Sequence, residues 1–402
     1  VSTASRVGTG NIVGVSSAIC IGGFGAVFWM WIIAIVGSAS AFVESTLAQI
    51  YKKKGEDGRC YGGPAYYIEA ALHSRPLAIA FCIAMILTYA FGFNMLASYN
   101  LQSTFSGFSF YNPSVSPWII GGILAVVTGW CLLGGGSRIV KVTSTLVPVM
   151  GIAYIAVALL VVILNIANIP MVFATIFREA FDFRAIFGAF AGSALMQGIR
   201  RGLYSNEAGI GSAPNAAASA HVSHPVKQGL VQMLSVFIDT LLLCTATAMM
   251  CMSSGIEPSA ELQGAPWVQA SLQASLGSFG PVFITVSMVL FAFTTLLGNC
   301  FYCDNLLTYI HKEQPGKRFM AGFRLVCATV VFVGAGMEMS MLWDISDVLM
   351  GVMALINIPV ILVLSNTAMK AVKDYEKQLK NGGNPVFRSA NIGLKHATDY
   401  WK

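Results

Sequence analysis

Charge is what this sequence has least of. Asp, Glu, Lys and Arg make up 10% of its 402 residues, where a soluble domain carries about 25%. The chain is 56% hydrophobic with a mean hydropathy of +0.70, which excludes a soluble globular protein and puts most of its length in lipid. Metal-ligand spacing is missing too: the nine cysteines are scattered, and Cys82, Cys131, Cys244 and Cys327 lie in apolar stretches as small buried hydrophobes. There is no zinc spacing, no phosphate-binding loop and no catalytic constellation; His221 and His224 merely flank a basic loop. The net charge of +6 is not a nucleic-acid signal, because its cations sit in short loops between apolar runs. No segment resembles a signal peptide. The chain opens without Met inside an apolar helix, which reads as an incomplete N-terminus.

Apolar segments of spanning length give ten helices, near 1–20, 25–50, 77–103, 117–134, 142–168, 184–205, 226–252, 280–309, 319–338 and 343–369. If they alternate, Lys52, Lys53, Lys54, Arg59, Arg138, Lys141, Arg200, Arg201, Lys227, Lys312, Lys317, Arg318 and a lysine-rich tail share one face. The opposite loops hold Arg178 and Arg184, with Glu257 and Glu261 in the long 253–279 loop. The positive-inside rule makes the basic face cytoplasmic, together with the C-terminus. Trp267, Val268, Leu272 and Leu276 space out a short helix over the external entrance, either a lid or an interfacial helix. Phe173–Phe183 reads as an external, interfacial stretch, and the tail after Tyr375 as soluble and without a motif.

The first helix carries Gly8-Thr9-Gly10-Asn11 at its middle. This costs roughly 1–2 kcal/mol of local helix preference and bares backbone groups that lipid does not tolerate. It is either a close-packing face or a break lined by ligand. Helix 6 runs opposite to helix 1 and has its own weak centre, Gly188–Ser193. Paired interruptions in two halves point to a midplane site of a secondary transporter. At such a break the amides of Gly8 and Gly10 suit a carboxylate. Carbonyls of Ala4 and Val7 suit a hard cation, joined by Asn11 and by Thr294-Thr295 of helix 8, unless those hydroxyls bond back to their own helix. Ala191, Gly192 and Ser193 leave room for only a small side chain. Asn94, Gln197 and Asn299 offer groups for an amine, and Phe91, Phe190 and Met196 apolar walls. Glu44 is expected to pair with Lys52 at the boundary and Glu207 to be structural. Asp239 and Asp304 are intramembrane or near-interface acids, functional by default unless they pair with arginines or polar groups near the inner surface. Arg6 either pairs with an acid or snorkels.

The run GGFGAVFWMWIIAIVG at 22–37, VGTGN at 7–11 and SNEAGIGSAPNAAA at 205–218 resemble the alanine or glycine:cation symporter family over essentially the whole chain. That resemblance implies an all-α polytopic membrane protein of leucine-transporter type. Its two inverted five-helix repeats would be 1–168 and 184–369, with helices 1 and 6 broken, 169–183 an external connector and 370–402 a cytoplasmic tail. It implies one more helix ahead of the first seen here. The expected function is symport of alanine or glycine with sodium across the plasma membrane, with a proton as the alternative ion. By the resemblance Val7, Gly8, Thr9, Gly10 and Asn11 line the sites, and sodium sits among Ala4, Val7, Thr294 and Thr295. A second sodium would need Asn11 and a hydroxyl on helix 6; Ser193 is displaced from it, which points to a single ion. The partners are then the amino acid, sodium and membrane lipids, not nucleic acid.

Overall fold

The structure is a computed structural model, which describes residues 6–55, 58–182, 192–394 and 398–401, without the side chains of 135–137. Among the described residues, eight helices are long and apolar enough to cross a membrane: Ala26–Ile50, Arg75–Ser103, Ser116–Leu133, Arg138–Leu164, Pro225–Ser253, Phe279–His311, Lys317–Ala335 and Met339–Lys380. They satisfy their own backbone, as lipid demands, and show lipid large apolar side chains such as Val126, Ile152, Leu355 and Val363. A shorter first helix, Thr9–Gly22, and an interrupted sixth bring the spans to ten. The tenth is longer than the apolar run suggests: it continues through its lysines as one 42-residue helix.

Three spans contain a wide-turn π segment: Gly10–Gly14 in the first, Leu87–Gly92 in the third and Phe237–Cys244 in the seventh. Such bulges free backbone groups and re-aim side chains, and they concentrate at functional sites.

The sixth span differs from the sequence expectation. Its first half is Ala194–Asn206, capped by Ser193, whose hydroxyl accepts from Met196 N. The interruption falls at 207–212, after which a short helix resumes at Ala213–Ala217. Of the Gly188–Ser193 stretch expected to hold the break, Ser193 caps this helix, and 188–191 lie outside the described residues, as does all of 183–191. This half packs antiparallel to the first span. A methyl group on Gly10 would meet Ser205 and Tyr204, and one on Gly22 would meet Gln197 and Ala194.

That placement moves two arginines. Arg200 and Arg201 lie within the first half of the sixth span, not in a loop after it, and pair with Asp347 at 3.7 and 2.6 Å. Lys53, Lys54, Arg75 and Lys312 border one surface groove, and the tail folds back over the same face. Phe387 N donates to Ser223 O at 2.8 Å and Trp401 Nε1 to Gln49 O at 2.7 Å. Lys53 pairs with Asp399 at 3.3 Å. The tail is thus a packed element, with Phe387, Ile392 and Trp401 buried. On the charge-poor face, Ala265–Leu276 is the expected helix of the 253–279 loop. Trp267, Val268 and Leu272 are fully buried, and Gly264 N donates to Ser16 Oγ of the first span, so this helix is a cover and not an interfacial element. Ile169–Ala180 is amphipathic, burying Val172, Ile176 and Ala180. It locks to the second span through Phe24 N to Glu179 Oε2 and Trp29 Nε1 to Ala180 O.

Candidate functional site

The helix of the first span is interrupted at Val7–Gly8 and resumes at Thr9. Gly8 N donates to the side-chain carbonyl of Asn11 at 2.8 Å, so one of the two glycine amides read as a carboxylate cradle already has an acceptor. Thr9 is the N-cap of Gly10–Gly14 without a side-chain cap. In the first turn of that outward segment Asn11 N donates to Gly8 O at 3.2 Å. The approach of Gly10 to the sixth span is tight: a Cβ there would stand 3.1 Å from Ser205 Cα.

The second interruption has the same composition. Gly209-Ile210-Gly211 repeats the Gly-x-Gly of Gly8-Thr9-Gly10, and Gly209 and Gly211 have φ of +83° and +85°, a region other residues enter at a cost. Glu207 sits at φ +55°. Its carboxylate accepts from Ser212 Oγ at 3.0 Å and Tyr302 OH at 3.2 Å, which ties the turn to the eighth span. Asn305 Nδ2 donates to Asn215 Oδ1 at 2.6 Å and Asn215 Nδ2 to Gly211 O at 3.0 Å, holding the far half.

Where the two interruptions meet there is a small cavity of about 10 Å³ lined by Arg6, Thr9, Gly10, Phe93, Tyr204, Glu207, Thr295 and Asn299, room for roughly one water. Above it, Tyr204 lies between Phe93 and Trp343, with ring centroids 4.9 Å from each. Its hydroxyl is 3.2 Å from Thr9 Oγ1. The Arg201 guanidinium lies 3.8 Å from the Trp343 ring and bonds to Asp347 at 2.6 Å. Phe93, Tyr204, Trp343 and Arg201 thus form one continuous stack, of which Phe93 and Tyr204 line the cavity.

Beside the cavity lies a buried polar cluster. Asn11 Nδ2 donates to Asp239 Oδ1 at 2.7 Å and to Ser205 Oγ at 3.2 Å. Ser205 Oγ and Thr240 Oγ1 donate to Asp239 Oδ2 at 2.9 and 3.1 Å. Asn11 O accepts from Thr247 Oγ1 at 2.7 Å. The helix-6 hydroxyl that meets Asn11 is Ser205, twelve residues beyond Ser193, and it faces the Asn11 amide nitrogen, not its oxygen.

The sequence-derived residues separate into groups. Thr9, Gly10, Thr295 and Asn299 line the cavity, with Gly8 and Asn11 adjoining it. Thr295 Oγ1 is buried without a hydrogen-bond partner. Thr294 Oγ1 instead donates back to Leu290 O and Phe291 O at 3.0 and 3.1 Å. Val7 is buried; Ala4 and Phe190 are outside the described residues. Asn299 Nδ2 donates to Asn94 Oδ1 at 2.9 Å, which makes Asn94 a brace for Asn299 across the third and eighth spans. Phe91 packs against the core, and Phe93 takes the place at the cavity wall. Gly192, Met196 and Gln197 do not reach the site. Gln197 packs on Gly22, twelve residues or about 18 Å of helix from Gly10.

The other acids take partners of their own. Glu44 does not meet Lys52: it is fully buried, accepting from Asn357 Nδ2 at 2.9 Å and Gly209 N at 3.4 Å. Lys52 Nζ donates to Ala220 O and lies 4.1 Å from the Tyr400 ring centroid. Asp304 pairs with Arg324 at 2.8 Å. Arg6 does not snorkel, and among the described residues it forms no ion pair; it is 1% exposed and donates to Gln232 Oε1 at 3.0 Å. Arg6, Phe93, Tyr204, Ser205 and Glu207 were not read as site residues, although the second Gly-x-Gly marks where to look for the last three.

The profile of the sodium:alanine symporter family matches residues 1–389. The chain is 46% identical over 399 residues to the amino-acid carrier protein AlsT of Bacillus subtilis (strain 168), covering 99% of this chain and 83% of that one. It is 35% identical over 426 residues to the sodium/proton-dependent alanine carrier protein of Bacillus sp. (strain PS3), covering 100% and 92%. Among solved structures it is similar to MhsT in complex with L-phenylalanine, with a TM-score of 0.60 and 14% identity over 88% of this chain and 86% of that one. The fold is thus of leucine-transporter type, with the first and sixth helices broken, and the chain belongs to the sodium:alanine symporter family.

Proposed function

We propose that this cation-coupled carrier brings alanine or glycine into the cell together with sodium, by alternating access around the cavity between the two Gly-x-Gly interruptions. The observation that carries the reading is the meeting of those interruptions at one buried point, with Thr295 on one side and the Asn11, Ser205 and Asp239 cluster on the other. Thr9 and Gly10 present helix-terminal donors to a carboxylate. Phe93 and Tyr204 bound the side-chain space, and Asn299, braced by Asn94, faces the amine. Sodium takes the Thr295 hydroxyl with carbonyls of Ala4 and Val7, and Thr294 contributes once its back-bonds are exchanged for the ion. A cavity of water size must widen to take even glycine, and rotation of Tyr204 off Phe93 and Trp343 supplies that opening toward the charge-poor face. The basic face, with the folded tail and C-terminus, is cytoplasmic by the positive-inside rule. The five-helix units 1–168 and 184–369 rock about the fixed site. Bound sodium organises the first break and raises amino-acid affinity, and linkage requires the reverse by the same factor.

Binding of glycine, alanine, serine and glutamine to the purified carrier, with sodium and with potassium in its place, tests the reading. Sodium-dependent binding that is strongest for the two smallest is expected. Equal binding in potassium would overturn the ion, and preference for glutamine would overturn the pocket. One observation favours a second reading, the carboxylate of Asp239 hydrogen-bonded beside the cavity: it suits a proton as the coupled ion. Uptake into proteoliposomes that follows a proton gradient and ignores sodium selects that reading instead.

A further inference from the structure

The tenth span is about 63 Å long at 42 residues, roughly twice the hydrocarbon core of a bilayer. Its lipid-facing side is apolar through Leu355, Leu362, Val363 and Met369, all exposed. Lysines begin at the next residue. Lys370, Lys373, Lys377 and Lys380 are exposed and follow one another at three- and four-residue steps, a spacing that keeps them on one helix face. The tail turns back at Gly382 and is pinned to this helix: Gln378 Nε2 donates to Val386 O at 3.0 Å and Val386 N to Gln378 Oε1 at 2.9 Å. The fold-back sets Arg388 opposite the lysines. Between them lies an open groove of about 970 Å³.

The balance of charge in this groove is uneven. Asp374 is engaged from three sides, by His224 at 3.3 Å, Gln378 at 2.9 Å and Asn391 at 3.2 Å. Glu376 stands on the helix among the lysines. Among the described residues, none of Lys370, Lys373, Lys377, Lys380 and Arg388 forms an ion pair. Four cations, Lys370, Lys373, Lys377 and Arg388, line the groove against Asp374, which is already bonded, and this leaves a positive groove that starts where the lipid-facing surface stops.

We propose that this groove binds the phosphate headgroups of anionic phospholipids in the adjoining leaflet. Basic clusters directly beyond a transmembrane helix attract anionic lipid, and the guanidinium of Arg388 suits a phosphate oxygen pair. The folded tail makes the cluster two-sided: a headgroup bridging Lys373 or Lys377 to Arg388 holds the tail against the helix. The same tail carries Phe387 onto Ser223 and Trp401 onto Gln49, and Gln49 Nε2 donates to Ala217 O at the end of the short helix after the second break. Lipid occupancy therefore steadies the segment on which the far half of the sixth span rests. The proposal needs only the membrane position of the helix, not the identity of the coupled ion.

The test uses the full chain in nanodiscs of phosphatidylcholine alone and with rising phosphatidylglycerol. Readouts are Tm, hydrogen exchange in 384–394, and separately sodium-driven uptake in liposomes of the same compositions. In the wild type, phosphatidylglycerol is expected to raise Tm and protect 384–394. Each charge removed should weaken the response about fivefold, so K370Q/K373Q/K377Q and R388Q shift it to higher phosphatidylglycerol, while K312Q/K317Q does not. Equal Tm of all variants in pure phosphatidylcholine shows that they fold alike. An unchanged phosphatidylglycerol response in the triple variant and in R388Q would overturn the site. A wild-type response reproduced by inorganic phosphate alone would overturn the lipid as ligand. Loss of uptake with an intact lipid response would count against the transport reading alone.

Discussion

Asn11 and Asp239 are joined side chain to side chain at 2.7 Å, although they lie 228 residues apart, and through them the first broken helix is fastened to the π segment of the seventh span. Asn11 is bonded on both of its ends: its carbonyl oxygen accepts from Gly8 N at 2.8 Å. The pair thus connects the Gly8 amide to a buried acid through the two ends of one side chain. On the sodium-coupled function proposed above, a cation at Asp239 that displaced the Asn11 amide nitrogen and turned its oxygen away from Gly8 N would free that amide for substrate, a route by which ion and amino acid favour each other.

Asp239→Asn tests that route. The substitution keeps the shape and removes the charge, while Asn11 and Ser205 lose an ionised acceptor whose hydrogen bonds are each worth about 1.5–3 kcal/mol. Uptake driven by a cation gradient is expected to fall at least about tenfold, with the amount of folded carrier unchanged on size-exclusion chromatography. Uptake at the wild-type rate with unaltered cation dependence would remove Asp239 from the coupling.

The two threonines of the eighth span should separate. Thr295 presents a buried, unbonded hydroxyl at the cavity, whereas Thr294 is already satisfied by Leu290 O and Phe291 O. Thr295→Ala is expected to weaken sodium affinity about tenfold, and Thr294→Ala less, because its hydroxyl must first give up a back-bond. Sodium titrations of alanine binding compare the two directly. The opposite order would mean that the ion sits on the other face of this helix.

How much of this was legible in the sequence follows from what each signal depends on. The spans and the first break were readable because apolar length and a Gly-x-Gly inside it are local properties. The second interruption lies within SNEAGIGSAPNAAA, and sequence does not separate it from Gly188–Ser193, because small residues in an apolar run look alike whether they pack or interrupt. The positive φ of Gly209 and Gly211 marks it. Gly192, Met196 and Gln197 were displaced with it. Arg200 and Arg201 count as loop charges until Asp347, about 146 residues away, neutralises them inside a span. Glu44 and Lys52 are close in sequence, yet their partners are Asn357 and the aromatic tail, and no periodicity encodes such distant pairings.

Gly211→Ala and Gly209→Ala should differ in stability for a geometric reason. Both have positive φ, which costs a residue with a Cβ roughly 1–2 kcal/mol. At Gly211 the new carbon would also stand 2.7 Å from Phe81 Cζ and 2.8 Å from Pro64 Cγ, while at Gly209 the nearest atom is Ser40 Cβ at 3.4 Å. Overpacking adds about 1–3 kcal/mol, so Gly211→Ala should lower Tm clearly more than Gly209→Ala. Equal losses would show that Phe81 moves aside freely and that backbone strain alone sets the cost.

The docked tail should loosen in acid. His224 caps Pro225–Val236, its Nδ1 accepting from Val226 N, and its ring packs between Tyr375 and Phe387. Burial holds its pKa below the ordinary 6.5, outweighing the opposite pull of Asp374. A histidine with a depressed folded pKa favours the folded state fully above the unfolded value. That contribution falls as pH drops below 6.5 and is lost once pH has passed beneath the depressed value. Protonation also removes the Nδ1 lone pair that caps the helix. Hydrogen exchange in 384–394 should therefore be faster at about pH 5 than at about pH 7.5, after correction for intrinsic rates, and His224→Gln should flatten the difference. A tail equally protected at both pH values in the wild type would mean that Asp374 stabilises the imidazolium enough to cancel the cost of burying it.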